Sequence, residues 1–189
     1  MLSGRLTARQ HVQALAFFKC WSVADPLIRS ARKKKVHALV LGADTVVSLP
    51  GPPDDIIGKA DNEDHARQIL NRLSGTTQEV ITGLAMVDLD TRFRFIESEI
   101  TTVTMRELSE SEIEDYLAAG HWRGKAGAYG IQGSADAFIE RLDGSYTNVV
   151  GLPLERLDRL FHQMAHVLGI DEESPSAPIV RLNPLTAEI

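Results

Sequence analysis

The chain has 189 residues, 43% hydrophobic and 24% charged, which suits one domain with a full core and argues against disorder through its body. Its net charge of −6 argues against general affinity for nucleic acid. The single cysteine, Cys20, excludes an internal disulfide and fits a reducing, cytoplasmic setting, while the apolar run at residues 14–18 is far too short to span a bilayer.

In chain order, Val12, Leu15, Ala16 and Cys20 recur at helical spacing across residues 7–24, and Pro26 closes that helix or begins another turn. Lys19, four residues after Leu15, sits beside the apolar face, where its stem can snorkel along the surface or reach past it. Arg29, Arg32, Lys33, Lys34 and Lys35 fit a solvated helix end better than a nucleic-acid contact. Val36-His37-Ala38-Leu39-Val40-Leu41 then reads as a strand covered on both faces, broken off by Gly42-Ala43-Asp44-Thr45. Asp44 is thereby expected at the mouth of a buried strand, where open α/β sheets collect ligands; an Asx turn leading into Val46-Val47-Ser48-Leu49 is the alternative. His37 has no second histidine or cysteine at ligand spacing and reads as packed or solvated.

Residues 50–55 form a proline-rich acidic turn, and Gly58-Lys59 after it makes Lys59 a phosphate candidate. Asp61 or Asn62 caps a helix through Ala66, Ile69, Leu70 and Leu73 that stops at Gly75. Residues 77–89 and 91–106 are β-rich and are expected to pair antiparallel. Glu79 is either a metal-binding or water-orienting carboxylate or a solvated strand residue. Ser109 and Glu112 form a capping box for a short helix ending at Gly120. Beyond it, residues 135–142 read as a strand, Asp143-Gly144 as a hairpin turn and residues 146–150 as the returning strand. Pro153 opens a last helix that Gly169 ends, and residues 170–189 are expected to be a loosely ordered tail. No internal repeat, zinc-type spacing, nucleophile elbow or Walker A motif is present.

The most unusual stretch is Gly124-Lys125-Ala126-Gly127-Ala128-Tyr129-Gly130-Ile131-Gln132-Gly133. Its glycines permit positive φ and close approach of backbone N–H groups to a ligand, Lys125 supplies a cation and Gln132 a planar amide. A mere connecting loop is the alternative.

Four segments occur in order: Leu41-Gly42-Ala43-Asp44-Thr45-Val46-Val47, then Gly58-Lys59, then Leu73-Ser74-Gly75 through Thr82-Gly83, then the 125–133 loop. Together with Asn148-Val149-Val150-Gly151-Leu152-Pro153 they resemble the Maf family from about Lys19 to the last helix. The resemblance implies a single α/β domain over residues 1–169, with a mixed, twisted sheet flanked by helices of the inosine-triphosphatase type. It implies a nucleoside triphosphate pyrophosphatase that uses a divalent metal, Mg2+ or Mn2+, and the loop with Tyr129 and Gln132 looks like the subgroup acting on dTTP and UTP. Asp44 would be the general base; the metal ligands that the sequence itself offers are Asp44 and Glu79. Thr45 and Gln132 would select the base, and Lys19, Lys59 and Lys125 would face phosphate. Local cations are physically necessary, because one unpaired charge contact at 4 Å is worth about 4 kcal/mol at an intermediate dielectric.

The family's opening strand and Ser-x-Ser-Pro-Arg-Arg unit are not matched. Leu2-Ser3-Gly4-Arg5 has no preceding strand and lies too close to the Lys19 helix, Ala60 replaces the usual proline, and Gln78 stands where histidine is common. The chain is expected to lack the first strand, which weakens the phosphate grip and leaves an exposed sheet edge or a homodimer. A catalytically impaired nucleotide- or partner-binding regulator is the alternative function, and an upstream start site is the alternative account of the front.

Overall fold

A computed structural model describes residues 6–30, 38–51 and 54–170. Leu2-Ser3-Gly4-Arg5, the basic residues 32–35, His37 and the tail beyond residue 170 lie outside the described residues. The elements are α1 (Ala8–Ser30), β1 (Leu39–Leu49), β2 (Asp55–Ile57), α2 (Glu63–Leu73), β3 (Thr77–Asp88), β4 (Arg94–Met105), α3 (Glu110–Ala118), a 3-10 turn (Ser134–Phe138), β5 (Ile139–Asp143), α4 (Tyr146–Val150) and α5 (Leu154–Leu168). The strands form one sheet in the order β2-β1-β3-β4-β5, and every described pairing is antiparallel. Helices flank it on both faces, as the α/β expectation requires. α1 lies on one face, and α2, α3 and α5 bury Leu70, Leu73, Ile113, Leu117, Leu160 and Met164 against the other. Among the described residues, no helix is long and apolar enough to cross a membrane.

α1 owes its position to small residues. Ala8, Val12, Ala16, Cys20 and Ala24 recur every four residues and are all buried. They rest on a floor of glycine: a Cβ at Gly42 would lie 2.4 Å from the Ala16 carbonyl oxygen, and one at Gly83 would lie 2.3 Å from that of Val12. At its start, the Asp54 carboxylate accepts the Ala8 N–H at 2.8 Å and Thr7 Oγ1 accepts the Gln10 N–H at 3.2 Å, satisfying two otherwise orphaned donors. Pro26 neither closes the helix nor restarts it; α1 continues to Ser30 without the hydrogen bond that residue 26 would have donated.

Two expectations are corrected. Gly42-Ala43-Asp44-Thr45 is not a turn, because β1 runs unbroken through it with Gly42 opposite Ala85, Asp44 opposite Gly83 and Thr45 opposite Thr82. Gly42 serves the close approach of α1, so Asp44 stands in mid-strand rather than at a strand mouth. The second correction concerns the carboxyl end, where Asp143-Gly144 does not turn a hairpin. β5 begins only at Ile139, and residues 146–150 are the helix α4, because Ser145 Oγ accepts the Asn148 N–H at 3.1 Å and caps it. Local capping chemistry outweighs the β-propensity of Val149 and Val150.

The predicted capping box of α3 is present, and Arg106 reinforces it: its Nη2 donates to Glu112 Oε1 at 2.6 Å. The Arg106 guanidinium and the Ser109 N–H and hydroxyl hold the Glu112 carboxyl down from 4.5 to about 2. A carboxyl depressed in the folded state contributes stability above its unfolded value, and that contribution is lost as pH falls toward the folded value. Thermal melts of wild type and Glu112→Gln should therefore differ at pH 6 and converge as pH drops from 4.5 to about 2.

Candidate functional site

β2 pairs with β1 only at Val47, Ser48 and Leu49, so among the described strands β1 has a bare edge over residues 39–46. Successive side chains on that edge alternate between the two faces of the sheet. Asp44 turns toward α1, where Lys19 Nζ donates to its Oδ1 at 2.6 Å. The Lys19 side chain is 54% exposed and that of Asp44 13%, so a half-open cation covers a mostly enclosed carboxylate. Lys19 thus reaches past the apolar face instead of snorkelling along it. Thr45 turns the other way, with its Oγ1 2.8 Å from Thr82 Oγ1.

The glycine loop closes the opposite wall. Gly124, Gly127 and Gly133 adopt φ of 73°, 69° and 105°, and Ala128 joins them at 55°. The left-handed region costs a residue with a Cβ roughly 1–2 kcal/mol, so neighbouring contacts must hold Ala128 there. They are visible: a β-bridge joins Lys59 to Ala126, and the Gly127 N–H donates to the Gly58 carbonyl at 3.0 Å. Gln78 Nε2 also donates to the buried Tyr129 hydroxyl at 3.2 Å. Burial pushes that phenol up to about 12, so it stays protonated across the physiological range. Gly130 is not left-handed; a Cβ there would lie 2.7 Å from Lys125 Cε. Its bareness lets the Lys125 stem cross the loop, and Lys125 Nζ donates to the His121 carbonyl at 2.7 Å.

Between these walls lies a cleft of about 480 Å³. Lys19, Asp44, Thr45, Lys59, Lys125 and Gln132 all border it. Its remaining lining includes Val47, Val80, Ile131 and Val149, so one part is apolar and another carries three ammonium groups against a single carboxylate. That combination suits an anion with a flat organic body, and the volume is that of a small-molecule site.

Glu79 does not border the cleft. It pairs with Ser48, four residues along β1 from Asp44, or about 13 Å at strand spacing, which is too far for both carboxylates to hold one ion. The fold thus does not bring the expected ligands Asp44 and Glu79 together. Among the described residues no group of three or more His, Cys, Asp or Glu could hold a metal ion. Asp44 alone still fits a hard cation of the kind that keeps several waters and binds through one or two carboxylates plus substrate phosphates. Sequence reasoning missed the supporting residues behind the walls, Thr82 and Asn148. Their signal was weak, since a threonine and an asparagine among β-branched residues also fit ordinary strand chemistry.

A half-apolar, lysine-rich cleft around one carboxylate, on an α/β sheet, defines a protein that handles anionic small molecules. The chain belongs to the Maf family: the family model described as Maf-like protein matches residues 3–164. A dTTP/UTP pyrophosphatase of Alkaliphilus metalliredigens is 42% identical over 156 residues, covering 82% of this chain and 76% of that protein. One from Pelotomaculum thermopropionicum is 44% identical over 154 residues, covering 82% and 75%, and one from Agrobacterium fabrum is 51% identical over 117 residues, covering 62% and 55%.

Proposed function

We propose that this protein is a nucleoside triphosphate pyrophosphatase that converts dTTP and UTP to the monophosphate and pyrophosphate. The observation that carries this reading is the convergence of Asp44, three lysines and Gln132 on one cleft, and the names of the relatives supply the substrate class. Gln132 offers an amide donor to a carbonyl on the imide edge of the base. Lys125 approaches the triphosphate from the loop, Lys59 from the segment between β2 and α2 that is bridged to the loop, and Lys19 from α1, neutralising charge that an acidic protein would otherwise repel.

Asp44 has one oxygen held by Lys19 and the other left to orient a water and take its proton. That water adds to the α-phosphorus while the bond to the pyrophosphate oxygen breaks, and the lysines receive the charge that develops on the leaving group. Asp44 is the residue that would hold a divalent cation, Mg2+ or Mn2+, whose bound form would supply polarisation of the α-phosphate. The free thiol of Cys20 and a substrate drawn from the nucleotide pool accord with a cytoplasmic setting.

Purified protein with UTP or dTTP and Mg2+ should release pyrophosphate in equal amount to the monophosphate. Saturable UTP binding without release would replace the enzyme with a nucleotide-binding regulator. Lys125→Met should raise KM for UTP about tenfold or more, since one lost charge-assisted contact is worth roughly 1.5–3 kcal/mol. Steady-state kinetics checks this, and an unchanged KM would remove Lys125 from the phosphate site.

A further inference from the structure

Thr45 and Thr82 face each other across the β1–β3 ladder, so their 2.8 Å contact is set by strand register and stiff β-branched side chains. Thr82 is fully buried and donates its hydroxyl hydrogen to the Asn148 carbonyl at 3.2 Å. A threonine hydroxyl has one hydrogen and two lone pairs. With the Thr82 hydrogen committed to Asn148, Thr45 must be the donor in the short contact. If the contact ran in reverse, the Thr45 hydrogen would go to the Gly151 carbonyl at 3.5 Å instead. In both arrangements it is held by a protein oxygen, and Thr45 offers a ligand only lone pairs.

We propose that Thr82 is a specificity-positioning residue: through Thr45 it makes this wall a fixed hydrogen-bond acceptor that selects a pyrimidine with N–H at ring position 3 over one with a bare nitrogen there. The inference rests on the nucleotide reading above. Uracil and thymine carry that N–H, whereas cytosine turns a lone pair toward the Thr45 lone pairs and leaves its own nitrogen without a donor. A site built to bond a particular hydrogen rejects the analogue that lacks it far more strongly than apolar contact can.

The relay can be cut without orphaning its far end. The Asn148 carbonyl also accepts the Gly151 N–H at 3.0 Å, and the Asn148 amide donates to the Val80 carbonyl and to Thr101 Oγ1, each at 2.9 Å. Thr82→Val therefore removes a hydroxyl while Asn148 stays hydrogen-bonded. In that variant Thr45 has only the distant Gly151 carbonyl to hold its hydrogen inward, and it becomes free to donate to a bare ring nitrogen.

The test measures dissociation constants of the α,β-methylene analogues of UTP and CTP, which cannot be cleaved at the scissile bond. They are compared for wild type, Thr82→Val, Thr82→Ala and Thr82→Ser, with circular dichroism to confirm folding. Wild type should prefer the UTP analogue at least tenfold. Thr82→Val should shrink that ratio about tenfold, Thr82→Ala should do the same, and Thr82→Ser should restore it. Equal affinities in wild type, binding of neither analogue, or an unchanged ratio in both hydroxyl-free variants would overturn the proposal. Pyrophosphate release from UTP is followed in parallel. Its absence alongside a preserved UTP preference would refute the pyrophosphatase and leave the selectivity device standing.

Discussion

Asp44→Asn is expected to lower the rate of pyrophosphate release by about a hundredfold to ten-thousandfold, the usual contribution of a positioned general base. Stability should barely change. The Asp44–Lys19 pair has a half-exposed lysine, and such pairs contribute only about 0–1 kcal/mol. Asparagine keeps the shape and still accepts the Lys19 hydrogen, but it cannot take a proton from water. Turnover and thermal melting on the same preparation separate the two effects. A loss of less than tenfold would remove Asp44 from the chemistry, and a loss accompanied by unfolding would make the residue structural.

Gly83→Ala should instead destabilise the whole chain. Its Cβ would stand 2.3 Å from the Val12 carbonyl oxygen and 2.8 Å from the Gln13 nitrogen, both backbone atoms of a long helix that cannot rotate aside. Overpacking of this kind costs about 1–3 kcal/mol, or a fall of roughly 2–12 °C in Tm for a chain of this size. Activity should fall too, because pushing α1 off the sheet withdraws Lys19 from Asp44. Gly58→Ala is the control, since a Cβ there meets nothing within 4 Å and the φ is not left-handed. Equal melting temperatures for wild type and Gly83→Ala would show that α1 does not depend on the glycine floor.

The sequence made some elements fully legible because their signals are local. The Ser109–Glu112 box, the α2 cap read as Asp61 or Asn62 and found at Asn62, and the left-handed glycines at 75 and 169 each act within a few residues of the helix end they define. The antiparallel pairing of β3 with β4 also followed from two adjacent β-rich runs. Gly42 was misread because a glycine after an apolar run signals a turn, whereas here its missing Cβ answers to Ala16 and Cys20, more than twenty residues away in the chain. The hairpin at Asp143-Gly144 failed for the same reason: dipeptide statistics do not register that Ser145 will cap a helix pinned to β3 and β4 through Asn148.

The sequence by itself determined the α/β class and the family, and it named Asp44, Lys19, Lys59, Lys125, Thr45 and Gln132, the side chains that border one cleft, since those follow from local patterns and from ordered motifs. The tertiary structure decided how they meet. It set Asp44 in mid-strand on an edge left bare among the described strands, brought Lys19 to it across a glycine floor, and left Glu79 about 13 Å along the sheet. It also fixed the direction of the Thr45 hydroxyl through Thr82 and Asn148, a matter of hydrogen-bond donors and acceptors brought together across the fold, which no spacing along the chain records.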